Sequence, residues 1–275
     1  MIPSDDLRSE IESYLGFLID HELEDAYETE PLNRTLSENK QAFKRTPATP
    51  AQIHVTPAQA GSNVSPLKPQ SLASLDLGTV LHEARQRAGS ARTIDELYAE
   101  LDAFQHMPLR HEGGKGIVRF RGNPDPDLLV IGECPDADED AAGNAFAGKP
   151  GEMMDKALKA AGVFDKAMLS PCVFWRPAGG RPLTAEDVSL NAPFMHALIK
   201  LTAPKAILLL GASAVSCVLN LDQSLAKLRG RLVSYGTEMP LPVMASYPPN
   251  FLLKQPQAKG LFWHDLLQLV VSAKL

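Results

Sequence analysis

The segment Leu128–Gly151, LLVIGECPDADEDAAGNAFAGKPG, restricts this chain more than any other. A four-residue apolar run, Leu128 to Ile131, stops at Gly132. Glu133 follows at once, then Pro135, an acidic cluster, and Phe146 between Gly143 and Gly148. A short apolar run bounded by glycine and proline reads as a strand buried on both faces. Open α/β sheets place their ligands where such strands end, at the carboxyl edge. The glycines let the backbone come close to a ligand, and Phe146 offers an aromatic face for stacking.

The chain has 275 residues, which allows one large domain plus an appendage, and its 44% hydrophobic content is enough for a packed core. A formal net charge of -6 excludes a highly basic nucleic-acid coat protein, but not a local basic cleft. Cys134, Cys172 and Cys217 show no CxxC spacing and form no disulfide framework. A reducing, cytoplasmic compartment is the simple expectation. The N-terminus is acidic and lacks the basic flank and apolar run of a signal peptide. No apolar run reaches the roughly 18 residues of a transmembrane helix. A monomer without membrane contact is expected.

Asp5 to Tyr27 carries apolar residues at helical spacing: Leu7, Ile11, Leu15, Leu18, Ile19 and Leu23, with Ser4 as a candidate cap. It reads either as a surface packing element or as a partner-binding helix on a tether. Residues 30–74 are rich in Pro, Thr, Ser, Gln and Asn, which predicts a disordered linker. The chain thus divides into an N-terminal helix (1–29), a linker (30–74) and a folded domain (75–275). Two helices are predicted from Leu75 to Phe104, broken near Gly89 to Arg92, with Ser90 or Thr93 starting the second. Strands at about Asp127–Ile131, Ala167–Val173, Ala206–Leu210 and Pro242–Ser246 alternate with helices at about Glu152–Ala161, Ala185–Leu201, Ala212–Leu219 and Gln257–Ala273. That alternation predicts a parallel sheet covered on both faces. His196 and His264 fall in these helices without metal-ligand spacing and are taken as structural. The loop His111–Gly116 lacks the lysine-serine ending of a phosphate loop.

Leu128–Gly151 resembles motif A of the uracil-DNA glycosylase superfamily, in its bacterial family 4 branch. The loop is Gly132, Glu133, Cys134, Pro135, Asp136; the acidic pair is Glu139 and Asp140; the aromatic segment runs from Gly143 through Phe146 to Gly148. The resemblance continues in order through about Leu101 to Leu275. It implies a three-layer αβα sandwich with a four-stranded parallel sheet. Glu133 would lie near an attacking water, and Gly132, Pro135 and Phe146 would line the base site. Other family positions are changed. Counting back from Trp175-Arg176-Pro177 puts Pro171 where a uracil-reading asparagine stands in the family. Leu252-Leu253-Lys254 and Trp263-x-Asp265 put Pro248 on the histidine that donates to the departing base. Proline offers neither a side-chain hydrogen bond nor a backbone N–H. Tyr247 and Asn250 are the polar side chains left nearby. The positions of the family's four iron–sulfur cysteines hold Phe104, Met107, Trp175 and Asn191, so no cluster and no other cofactor is expected, with apolar packing in its place.

Arg176 and Arg181 follow the second strand, and Lys227, Arg229 and Arg231 match a Lys-Leu-Arg-Gly segment. By resemblance these five face DNA. Each candidate also has a plain structural role: Glu133 accepting backbone N–H groups, Phe146 packing, Arg229 bracing a loop, Arg176 and Arg181 standing in solvent. The sequence therefore carries two expectations. One is a DNA-binding member of the base-excision lineage with uracil excision impaired or lost. The other is a working glycosylase for uracil or another deaminated base. The linker expectation is tested by limited proteolysis of the whole chain. Cleavage should come first within residues 30–74 and leave a stable fragment beginning near Leu75, and uniform resistance there would contradict the boundary.

Overall fold

The computed structural model describes residues 76–221, 225–236 and 240–275. The predicted N-terminal helix and linker lie outside the described residues. The domain opens with two helices, α1 (Leu77–Ser90) and α2 (Ile94–Ala103). Thr93 caps the second: its hydroxyl accepts the Glu96 amide at 3.1 Å, while the Glu96 carboxylate accepts the Arg92 amide at 2.7 Å.

Six strands follow: β1 (Arg121–Gly122), β2 (Leu128–Gly132), β3 (Ala167–Pro171), β4 (Ala206–Leu210), β5 (Leu232–Tyr235) and β6 (Leu241–Ser246). Their order across the sheet is β1-β3-β2-β4-β6-β5. The inner four are parallel, as expected, and β1 and β5 close the two edges antiparallel. The expected four strands are thus the centre of a six-stranded sheet. At two residues β1 is too short to show a period. Leu232-Val233-Ser234-Tyr235 alternates in burial only weakly, because β5 is an edge.

β2, β3 and β4 are buried throughout, and their side chains alternate between two cores. Leu129, Ile131, Ile207 and Leu209 face one core, shared with α1, α2, α5 (Ala185–Thr202) and α6 (Ala212–Leu219). Leu128, Val130, Leu208 and Leu210 face the other, shared with α4 (Gly148–Ala160) and α9 (Lys259–Ala273). The short helices α3 (Ala137–Ala142), α7 (Leu225–Leu228) and α8 (Pro249–Lys254) sit in the connections. The result is a three-layer αβα sandwich. Strand and helix bounds match the sequence reading within a few residues, except that α4 starts four residues before Glu152 and a 3₁₀ turn, Pro256–Ala258, precedes α9.

β2 leads out to β3 on one side, and the chain then returns to β4 on the other. The carboxyl ends of β2 and β4 therefore form the topological switch point, where such sheets open a crevice. One ion pair ties the far side of this crevice together. Arg229 donates to both oxygens of the fully buried Asp265, at 3.2 and 2.9 Å, and Ser246 at the end of β6 donates to the same carboxylate at 2.6 Å. Replacing Arg229 with alanine leaves Asp265 buried without its counter-charge, so the change should lower unfolding free energy by about 3–5 kcal/mol. Urea denaturation of Arg229→Ala beside the native protein measures this; a loss below about 1 kcal/mol would show that Asp265 does not depend on the pair.

Candidate functional site

The crevice is built from the loop after β2. Asp136 caps α3, its carboxylate accepting the Asp138 and Glu139 amides at 2.9 and 3.0 Å, and Glu139 returns a bond from the Asp136 amide at 2.9 Å. The other Glu139 oxygen accepts the Phe146 amide at 2.5 Å. Gly143, in the left-handed region, ends α3. Phe146 has φ of 53°, a conformation that a bulky residue adopts only when its surroundings force it. The forces are visible. Its ring lies against Gly132, where an added Cβ would meet the ring at 2.7 Å, and its carbonyl lies against Gly151, where no Cβ fits. Arg121 supports the segment from behind, donating to the Ala145 carbonyl at 3.0 Å and to Asp155 at 2.7 Å.

Glu133 projects from the end of β2 and packs against Gly211, the residue between β4 and α6. No hydrogen bond or ion pair engages its carboxylate among the described residues. Burial raises its pKa. Glu139 is pushed up to about 7, chiefly by burial. The Cys134 thiol is pushed up to about 11, by burial first and Glu133 second, so it is no ready nucleophile. Glu133 lines a cleft of about 430 Å³ together with Gly211, Leu225, Tyr247, Pro248 and Asn250. A narrow recess of about 30 Å³ shares Glu133, Pro248 and Asn250 and adds Gly132 and Phe146. A half-buried, unpartnered carboxylate beside an aromatic face can orient a water molecule or accept from a cation, while the ring takes a planar group.

The expected base-site residues come together only in part. Gly132, Glu133, Phe146 and Pro248 line the clefts. Pro171 is buried beside Gly132 in the sheet register, and Pro135 is buried in the loop; neither is among the lining residues. Asn250, in the first turn of α8, lines both clefts. Tyr247 lines the larger one, stacked on Phe251 with ring centroids 4.8 Å apart.

The five basic residues separate into two kinds. Arg181 donates to Glu112 at 3.1 Å and to Asp187 at 2.7 Å, and Arg229 holds Asp265 while lying over the Tyr247 ring. Arg229 braces its loop through a carboxylate. Glu112 and Asp265 lie 69 and 36 residues away in the chain and could not be read from local spacing, whereas Asp187 stands six residues after Arg181. Arg176 stands 4.0 Å from the buried Asp140. Lys227 and Arg231 are exposed, with no ion pair among the described residues. His196 reaches the Val218 carbonyl at 3.2 Å, a structural contact.

Phe104, Met107, Trp175 and Asn191 are all buried. Asn191 accepts the Phe174 amide at 3.3 Å and donates to the Asp187 carbonyl at 2.7 Å and to the Met107 sulfur at 3.1 Å. Phe104 packs on Phe194 at 5.7 Å. An iron–sulfur cluster needs thiolate ligands, and these four side chains do not fit one. Among the described residues no group of three or more His, Cys, Asp or Glu could hold a metal ion, and no helix is long and apolar enough to cross a membrane.

Residues 120–267 match the family described as the Uracil DNA glycosylase superfamily. The Type-4 uracil-DNA glycosylase of Pyrobaculum aerophilum is 27% identical over 181 residues, 63% of this chain and 91% of that protein. The Thermotoga maritima protein of the same name is 28% identical over 147 residues, 52% of this chain and 75% of its own length. That of Archaeoglobus fulgidus is 23% identical over 185 residues, 64% and 92%.

The unpartnered Glu133 gives a testable sign. A carboxylate whose folded pKa exceeds its unfolded value, near 4.5, contributes most to stability below that value and loses the contribution as pH rises through its folded pKa. Glutamine does not titrate. Glu133→Gln should therefore gain stability relative to the native protein as pH rises above about 4.5. Urea melts of both proteins from pH 4 to 8 measure the difference, and a Glu133→Gln protein that loses stability relative to the native one as pH rises would mean Glu133 is stabilised as an anion.

Proposed function

The chain belongs to the uracil DNA glycosylase superfamily, and we propose that it is a DNA-binding protein of the base-excision lineage in which uracil excision is impaired or lost. One observation carries this reading. The cleft keeps a carboxylate, Glu133, and an aromatic face, Phe146, but the residue across from them, Pro248, has no group to donate to a departing base. Pro171 removes the second expected contact, the amide that would tell uracil from cytosine. Acid and stacking surface remain; base reading and charge stabilisation do not. Loss of one such donor costs on the order of a hundredfold to a thousandfold in rate in well-studied hydrolases.

DNA contact in this reading falls to Lys227 and Arg231, with Arg176 next, because Arg181 and Arg229 already hold carboxylates. Phosphate contacts of this number give weak, salt-sensitive binding. Asn250 supports a second reading, a working glycosylase for uracil or another deaminated base. It lines both clefts with Glu133, and its amide can both donate and accept.

The deciding assay incubates the protein with single- and double-stranded DNA carrying uracil, hypoxanthine or xanthine, followed by alkaline strand cleavage. The native chain should excise uracil at least about a hundredfold more slowly than Pro171→Asn/Pro248→His. Each single change should give less than the pair, since both act on one transition state. Glu133→Gln in the restored background should lower the rate again. Efficient excision by the native chain, abolished by Asn250→Ala, would replace the first reading with the second.

A further inference from the structure

A second cavity, of about 620 Å³, shares no lining residue with the Glu133 clefts. It runs along α1 and α5 and reaches the last turn of α6. Its walls are mainly apolar and small, among them Leu81, Ala88, Val188, Ala192 and Ala197, with Ser189, His196, Ser216 and Asn220 as the uncharged polar side chains between them. No carboxylate lines it, whereas Arg85 of α1 and Lys200 of α5 do; both are exposed, and neither has an ion pair among the described residues. The groove is thus apolar within and positive at its rim, with one cation from each of the two helices.

We propose that the N-terminal segment Asp5–Leu23 of this same chain docks into the groove as a helix. The sequence of the segment is the complement of the groove. At about 100° per residue, Leu7, Ile11, Leu15 and Leu18 fall on one stripe less than a third of a turn wide, narrow enough for a groove of alanines. Glu10 and Glu12 fall on opposite sides of that stripe, each about 100° from its centre. The segment carries six carboxylates (Asp5, Asp6, Glu10, Glu12, Asp20, Glu22) against the single Arg8. The flanking acids therefore meet Arg85 and Lys200 when the stripe is seated.

The connection favours this occupant over a separate partner. The chain enters the domain at Leu77, and Leu81 and Arg85 lie only one and two turns into α1. Between Leu23 and Leu77 stand roughly fifty residues, a length of chain whose covalent reach, about 3.3–3.6 Å per residue at most, far exceeds the distance needed. A tether of that kind presents the segment at an effective concentration of order 1 mM. An intrinsic affinity as weak as about 0.1 mM then leaves about nine-tenths of the molecules docked, and groove amides exchange about tenfold more slowly.

Amide hydrogen exchange on the full chain tests the assignment. In Ile11→Asp/Leu15→Asp, peptides covering 81–91 and 188–201 should exchange about tenfold faster than in the native chain. Arg85→Glu/Lys200→Glu should produce the same change. The first variant lies outside the groove-bearing helices, so it keeps the test valid if the second does not fold. Unchanged exchange in the N-terminal variant overturns the proposal. So does groove protection that grows with protein concentration, which would identify a second copy as the occupant.

Discussion

One short hydrogen bond sets the shape of the candidate site. The Glu139 carboxylate holds the Phe146 amide and, with its other oxygen, the amide of Asp136. It thereby fixes both ends of the loop that follows β2. With its backbone held in the left-handed region, Phe146 has one place for its ring, over Gly132, and one for its carbonyl, over Gly151. The floor and one wall of the recess follow from that. The bond also explains why a carboxylate whose pKa burial raises to about 7 is kept there. Two backbone donors need two acceptor oxygens at one point, and an ionised carboxylate supplies both.

Much of the scaffold was legible in the sequence because its signals are local. The run Ala206–Leu210 and the helix Ala212–Leu219 have the bounds expected of them, since a buried parallel strand and the helix packed on it advertise themselves by continuous and periodic apolar residues. Thr93 caps α2 as a threonine before an apolar period should. The edge strands were not legible: β1 is two residues long, and β5 is half exposed. The site was readable only as far as the loop after β2. Gly132, Glu133 and Phe146 meet because they are close in the chain. The roles of Arg181 and Arg229 were hidden because Glu112 and Asp265 are brought to them by tertiary folding.

The two prolines do different things to the site. Pro248 stands at the mouth of the cleft and precedes α8, whose first residue is also proline, so the backbone there is fixed at two successive positions. Pro171 is further inside. It ends β3 opposite Gly132, and the next residue, Cys172, donates to the Gly132 carbonyl at 3.1 Å. The sheet thus continues its ladder one residue past the proline. The loss at this position is one of side-chain chemistry, with the strand pairing intact.

The three glycines around the cleft make its shape a matter of missing atoms. At Gly132, Gly151 and Gly211 a single methyl group would collide with Phe146 or Glu133, so even alanine disturbs the recess. These positions lie at the end of β2, in the first turn of α4 and just after β4, and the third is brought to the first two by the parallel pairing of β2 with β4. In a library of single substitutions they would stand out as three isolated columns with no tolerated replacement. An exposed neighbour such as Lys149 would accept many. The imprint of the cleft on mutational tolerance is therefore a discontinuous pattern of forbidden volume. It reports the volume of the cleft and is blind to which polar groups line it.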